Sequence, residues 1–332
     1  MKLANLPRFH LAEFPTPIHY LETLTKKYQG PAVYMKRDDL TSLGMGGNKT
    51  RKLEFLIGEA LEQKKDTLVT AGGIQSNHCR LTAAAARKAG LDCHLVLNGT
   101  PPKIPNGNLL LDTLFGAKIH FCNREERDER LFLVADELEE KGKKPYVIPV
   151  GGSNSVGSVG YVDAMLELVN QMDDLSITAD SIVFATSSGG TQAGLALGAE
   201  IAGFKGDVLG ISIDQVQAGP GPFPPVLTEI ANGAAARLGS DIRLTESDFS
   251  LNYDYLGAGY AMPGELEFNA IQDLALHEGI LLGPVYTARA MGGMLDLIKK
   301  GNFTKDQTVL FWHTGGTPEL FAWADQLCKE SE

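Results

Sequence analysis

Lys49 stands at the end of a tight run, Gly46-Gly47-Asn48-Lys49, and leads into Thr50-Arg51-Lys52. A lysine placed by glycines and an asparagine at the start of a helical stretch is positioned rather than floppy. A helix N-terminus and burial both lower an amine from its reference pKa of about 10.4, which leaves a neutral nucleophile. Spacing does not decide which of Lys49, Arg51 and Lys52 points inward, and any of them alone reads as an ordinary surface cation. A second group is Ser187-Ser188-Gly189-Gly190-Thr191, between a strand-like run and a helical one over residues 192–202. Glycines let the backbone approach an anion, free N–H groups at a helix start point toward it, and hydroxyls add donors, so this is a cup for a phosphate. No Lys-Ser or Lys-Thr pair closes it, so it is not a P-loop. Asp214 lies roughly twenty residues on, at the end of the next strand, which keeps a dinucleotide site open.

Three further turns share the same character: Ala71-Gly72-Gly73-Ile74-Gln75-Ser76-Asn77-His78, Val150-Gly151-Gly152-Ser153-Asn154 and His313-Thr314-Gly315-Gly316-Thr317. Any one of them reads as a simple strand-to-helix turn. Four together, each with Ser, Thr or Asn beside the glycines, suggest one crowded pocket beyond the carboxyl ends of parallel strands. The elements around them support this. Short β-branched or aromatic runs at residues 33–36, 67–71, 93–97, 118–121, 146–149, 182–186, 208–213 and 308–313 predict strands. Apolar spacing at 52–63, 78–89 and 125–141 predicts helices. The alternation predicts an α/β fold with mostly parallel sheets and helices on both faces. Gln217 to Pro225 (QAGPGPFPP) reads as a loop, because Pro and Gly oppose a regular element. The charged run Arg124 to Arg130 (REERDER) reads as the exposed start of a helix, His120 and His277 as solvent-facing or packed residues, and Cys79 as a buried, inert thiol.

The chain of 332 residues is longer than one hydrophobic core usually serves, so two units are expected. Its 43% hydrophobic and 21% charged residues are ordinary for a globular protein and argue against long disorder. A net charge of −11 argues against a nucleic acid or an anionic membrane as partner. Residues 1–10 show no secretory signal, and no apolar run is long enough to span a bilayer. Four dispersed cysteines without a CxxC pair predict free thiols in a reducing cytoplasm and no metal site.

Gly46 to Glu54 (GGNKTRKLE) resembles the cofactor-lysine motif of the 1-aminocyclopropane-1-carboxylate deaminase and D-cysteine desulfhydrase family. The resemblance continues in order through Lys36-Arg37-Asp38-Asp39, the Ala71 to His78 turn, Pro149-Val150-Gly151-Gly152-Ser153-Asn154, Pro284-Val285-Tyr286-Thr287 and His313-Thr314-Gly315-Gly316, and covers about residues 5–323. It implies pyridoxal 5'-phosphate as cofactor. It also implies the fold type II architecture, similar to tryptophan synthase β: two open, mostly parallel twisted sheets with helices on both faces. Residues 1–50 and 160–332 would form the larger, cofactor-binding domain and 51–159 the smaller, with the active site between them, in a homodimer. Residue by residue, Lys49 resembles the Schiff-base lysine and Ser188, Gly189, Gly190 and Thr191 the phosphate cup. Asn77 resembles the partner of the cofactor's phenolic oxygen, Ser76, Asn77 and His78 the turn holding the substrate carboxylate, and Tyr260 and Tyr286 the two active-site tyrosines.

Within that family, the deaminase branch carries glutamate after Pro-Val-Tyr and leucine before Gly-Gly. This chain has Thr287 and Thr314, which resembles the desulfhydrase branch. The resemblance makes Thr287 and Thr314 cofactor-binding, with the Thr287 hydroxyl donating to the pyridine nitrogen; it supplies no compensating negative charge, so the resemblance implies β-elimination from D-cysteine to pyruvate, hydrogen sulfide and ammonia. Ring opening of the cyclopropane acid, elimination from L-cysteate and, remotely, a nicotinamide-dependent dehydrogenase are the alternatives. Gly283 departs from the family, which has aspartate before Pro-Val-Tyr; loss of that carboxylate would remove a hydrogen bond or widen the pocket.

Overall fold

A computed structural model describes residues 2–214 and 223–329. Ten strands occur among them: β1 (Ile18–Tyr20), β2 (Ala32–Arg37), β3 (Thr67–Gly73), β4 (Asp92–Asn98), β5 (Lys118–Cys122), β6 (Pro145–Val147), β7 (Ser181–Thr186), β8 (Asp207–Ser212), β9 (Ser250–Asn252) and β10 (Thr308–His313). They form a six-stranded sheet in the order β1-β2-β10-β7-β8-β9 and a four-stranded sheet in the order β5-β4-β3-β6. Only β1 runs antiparallel to its neighbour.

The strands are apolar on both faces, as parallel sheets covered by helices require. In β10, Val309 and Phe311 join the core that holds Val33, Met35 and Val183. Leu310 and Trp312 face the other way, into the core of Tyr161, Ile182 and Phe184. In the smaller sheet, Leu68, Leu95 and Leu97 pack on one side and Val69, Ala71 and Val96 on the other. Runs of this kind gave eight strand expectations, the three-residue edge strand β6 among them. The three-residue edge strands β1 and β9 were not expected, since three residues carry no period to detect.

Strand order reverses once in each sheet. β7 is followed by β8 on one side and flanked by β10 on the other; β3 is followed by β4 on one side and flanked by β6 on the other. Such reversals open a crevice beyond the strand ends. The expected domain breaks at 50/51 and 159/160 fall inside the helices Lys49–Glu62 and Ser155–Leu175, which connect the strands of one sheet to those of the other. Of the loop expected at 217–225, residues 217–222 lie outside the described residues. Phe223, Pro224 and Pro225 instead form the first turn of the helix Phe223–Leu238. Proline is tolerated there because first-turn N–H groups have no helical partner.

Candidate active site

The turn before Lys49 can be built only from glycine. Gly46 and Gly47 have φ of +73° and +133°, and a Cβ on Gly46 would lie 1.9 Å from the Asp39 carbonyl oxygen. Asn48 N–H donates to the Thr314 carbonyl at 3.0 Å, tying this turn to the loop after β10. Three cations then leave one helix in three directions. Arg51 is buried and grips Asp38 with two hydrogen bonds of 2.8 and 2.9 Å, while Tyr161 and Trp312 each donate to the same carboxylate at 2.8 Å. Lys52 is also buried, and its Nζ donates to the Gly151 carbonyl and Ser153 Oγ, both at 3.2 Å. Lys49, half-buried, faces a cavity of about 400 Å³. Desolvation lowers its amine to about 8, against the raising effect of Glu319.

The same cavity gathers the carboxyl-end loops of both sheets. Gly189, with φ +88°, precedes the helix Gly190–Ala202 at the end of β7. Ser188 Oγ lies 2.7 Å from Ser153 Oγ, and Gly190 N–H donates to Ser153 Oγ at 3.1 Å. A Cβ on Gly190 would sit 2.7 Å from Ser153 Oγ and 2.8 Å from Lys52 Nζ. The floor of this cup therefore requires glycine and has the Lys52 amine beside it. Asn48 Nδ2 donates to Thr191 Oγ1 at 3.2 Å, which joins the lysine turn to the cup. Burial, with Lys49 nearby, holds the Lys52 amine well below the usual range. Backbone N–H groups, hydroxyls and this amine, which a dianion beside it would draw back toward its charged form, suit a phosphate, so these residues fit the phosphate of pyridoxal phosphate.

On the other sheet, Ser76 caps the helix Asn77–Ala89, its Oγ accepting the Cys79 N–H at 3.2 Å. Its hydroxyl proton stays available to a carboxylate. His78 is buried with Nε2 2.9 Å from Thr70 Oγ1, and burial keeps its imidazole neutral, well below the usual range. The Tyr260 and Tyr286 hydroxyls are 2.6 Å apart and both line the cavity. Burial raises Tyr260 to about 12 and Tyr286 further, so both phenols keep their protons. Cys79 is fully buried and its thiol is pushed up by burial, as an inert thiol should be.

Two of the expected residues differ in their reach. Thr314 lines the cavity. Thr287 is fully buried behind it: its Oγ1 accepts the Gly283 N–H at 2.8 Å and faces the Gly315 and Gly283 carbonyls at 3.1 and 3.2 Å. Its hydroxyl thus meets backbone groups of this loop, and Thr287 is not among the residues that line the cavity. Gly283 also has a structural cause. A Cβ there would lie 2.7 Å from Gly316 Cα, so the two backbones touch only without a side chain. A carboxylate reaches this loop from another direction: Glu319 Oε2 accepts the Val285 N–H at 3.4 Å.

Three residues were not singled out from the sequence. Spacing left Lys52 undecided beside Lys49 and Arg51, and Glu319 carries no motif of its own. Arg124 read as part of a solvated charge run, but it lines the cavity mouth, pairs with Asp214 at 3.1 Å and lies over the Tyr260 ring at 5.6 Å. Asp214, the candidate ribose ligand, is therefore engaged with Arg124.

The family model for "Pyridoxal-phosphate dependent enzyme" matches residues 10–315. The chain is 43% identical over 328 residues to a D-cysteine desulfhydrase of Salmonella typhi, with 97% of each chain covered. It is 42% identical over the same length to the D-cysteine desulfhydrase of Salmonella schwarzengrund (strain CVM19633), also at 97% of each. Among solved structures, an ACC deaminase homologue superposes with a TM-score of 0.89 at 38% identity, covering 98% of this chain and 97% of that one. An O-ureido-L-serine synthase shares the fold at a TM-score of 0.66 and 17% identity, with 92% of this chain and 90% of that one covered.

Proposed function

The chain belongs to the pyridoxal-phosphate dependent enzymes, and from that premise we propose that it eliminates hydrogen sulfide from D-cysteine, leaving pyruvate and ammonia after addition of water. One observation carries the reading. A single cavity holds a screened lysine, a phosphate cup with a second lysine amine beside it, a capped helix start able to take a carboxylate, and two protonated tyrosines in contact. The 43% identity to a D-cysteine desulfhydrase supports the choice of substrate.

Bound pyridoxal phosphate supplies an electron sink at the substrate's α-carbon. Lys49 would hold the cofactor, Lys52, Ser188, Gly189, Gly190 and Thr191 its phosphate, and Asn77 its phenolic oxygen. The Thr314 hydroxyl would face the pyridine nitrogen. The substrate carboxylate docks at Ser76, Asn77 and His78, where the Ser76 hydroxyl and the helix N–H groups donate to it. Lys49 is the base for the α-proton, since its amine titrates near 8 and the tyrosines keep theirs. Tyr260 and Tyr286 donate toward the departing thiolate. A neutral hydroxyl at the ring nitrogen suits expulsion of a good leaving group. It suits opening of a carbon ring poorly, which disfavours the cyclopropane acid.

The homodimer and the cytoplasmic setting belong to the same proposal. Exposed apolar side chains such as Phe132 and Leu114 support the first, and four free cysteines the second. No helix among the described residues is long and apolar enough to cross a membrane. Steady-state kinetics on D-cysteine, L-cysteate and 1-aminocyclopropane-1-carboxylate test the function, with D-cysteine expected to give the highest kcat/KM. A higher value for the cyclopropane acid would overturn the reading of Thr314. A higher value for L-cysteate would move the leaving group from sulfide to sulfite.

A further inference from the structure

Glu319 lies in the short helical turn Thr317–Trp323 that follows the Gly315-Gly316 loop, and it is fully buried. One carboxyl oxygen accepts from Asn77 Nδ2 and the other from the Val285 N–H at 3.4 Å. The orientation of Asn77 follows from its neighbours. The Gln75 carbonyl can only accept, so Asn108 turns Nδ2 toward it, at 2.8 Å. The second Asn108 N–H then needs an acceptor, which is Asn77 Oδ1 at 2.9 Å. Asn77 must therefore turn Nδ2 away from Asn108, toward Glu319. One of its two N–H groups is taken by Glu319. The other is left for the cavity that Asn77 lines.

We infer that Glu319 is a positioning residue of this site: its carboxyl group, seated between the Asn77 amide and the Val285 N–H, holds Asn77 with a donor turned to the cofactor. The inference rests on the cavity being a pyridoxal-phosphate site, in which Asn77 meets the phenolic oxygen of the ring. A donor is the right partner for that oxygen, and an amide turned the other way would set oxygen against oxygen.

The groups around Glu319 come from every wall. The helix Asn77–Ala89 brings Arg80, whose Nη2 donates to the Gly46 carbonyl at 2.9 Å; the helix Lys49–Glu62 brings Lys49. Tyr260 and Tyr286 face it as neutral phenols. The helix Gly107–Leu114 packs against its turn and carries Asp112, raised to about 8 by burial. Burial likewise raises Glu319 to about 8, against the Val285 N–H, Arg80, Asn77 and Lys49. The carboxyl thus gains its charge as pH rises through about 8, and with it a firmer hold on Asn77.

The test uses purified holoenzyme and reads the visible absorption of bound pyridoxal phosphate across pH, beside kcat and KM for D-cysteine. Glu319→Ala should shift the band and lower kcat about tenfold, the worth of one buried hydrogen bond, with KM changed far less. Glu319→Gln keeps an acceptor for Asn77. It should restore the band position and most of kcat. If Glu319→Ala does not fold, Glu319→Asp, whose shorter side chain draws back from Asn77, decides through the same two readings. A band that Glu319→Ala leaves unchanged in position would sink this inference alone, as would a Glu319→Gln variant no better than Glu319→Ala in band position and kcat. A wild-type protein with no band would sink the cofactor reading and the inference with it.

Discussion

Lys49 and Lys52 are three residues apart on one helix, and the fold gives them separate tasks. Lys49→Ala is expected to abolish turnover and the visible band. Lys52→Ala should keep the band but weaken cofactor affinity about tenfold, the scale of one charge-assisted hydrogen bond, as measured by equilibrium dialysis. Borohydride reduction and peptide mapping that labelled Lys52 would reverse the assignment. The depressed Lys49 amine has a pH signature. It is neutral above about 8 and protonated below, so cofactor uptake by the apoenzyme should accelerate as pH rises toward 8 and level off beyond it. Stopped-flow absorbance reads this directly, and a rate flat over that range would place the amine elsewhere. At this scale the sequence shows residue types and punctuation. Lys49, the Ser188 to Thr191 cup and the Tyr260–Tyr286 pair were legible through glycine turns and motif order. Lys52, Glu319 and Arg124 were not, because what each touches comes from chain 34 or more residues away. Thr287 shows the converse: the motif is present, but the backbone contacts of its hydroxyl are visible only in the fold.

Two helix starts carry the element-scale predictions. Gly190→Asp puts a side chain where Ser153 Oγ and Lys52 Nζ already sit, and its carboxylate would take Lys52 in place of a phosphate. Dialysis should strip cofactor from this variant and not from the parent, while the apo forms melt at similar temperatures. Equal retention would remove the cup from that loop. Beneath the Lys49 helix, Asp38→Asn removes one of the two carboxylates around the buried Arg51 and leaves Glu167 at 2.9 and 3.0 Å, an expected loss of about 1–3 kcal/mol in urea unfolding. Burial pushes the Asp38 carboxyl up, but Arg51, Lys36 and the Trp312 N–H override it, so its pKa falls below the ordinary value. Its stabilisation is therefore present above the usual carboxylate pKa and lost only as pH drops through the lower folded value. Long strands were legible because both their faces are apolar. The helix at 223 was not, because its prolines signal a break unless they fall in a first turn, and only the fold shows that they do.

At the scale of the whole molecule, the alternation of strands and helices made the architecture legible, but not how the two sheets meet. Loops flanking both strand-order reversals line one cavity: 187–191 and 314–315 from the larger sheet, 72–78 and 150–151 from the smaller. The cofactor would thus be held by both sheets at once, its phosphate on one and its phenolic oxygen on the other. A ligand that binds only the folded state adds about 2.7 kcal/mol at a hundred times its Kd. Here the gain should be shared across the crevice. Hydrogen exchange in residues 72–78 and 186–191 is expected to slow together when pyridoxal phosphate is added to the apoenzyme; protection confined to one sheet would break this link. Limited proteolysis should follow the same pattern, with the apo chain cut first in these loops. The crevice makes cofactor supply a determinant of protein lifetime: chains that miss their cofactor would be removed sooner, and the standing pool of enzyme would track its availability.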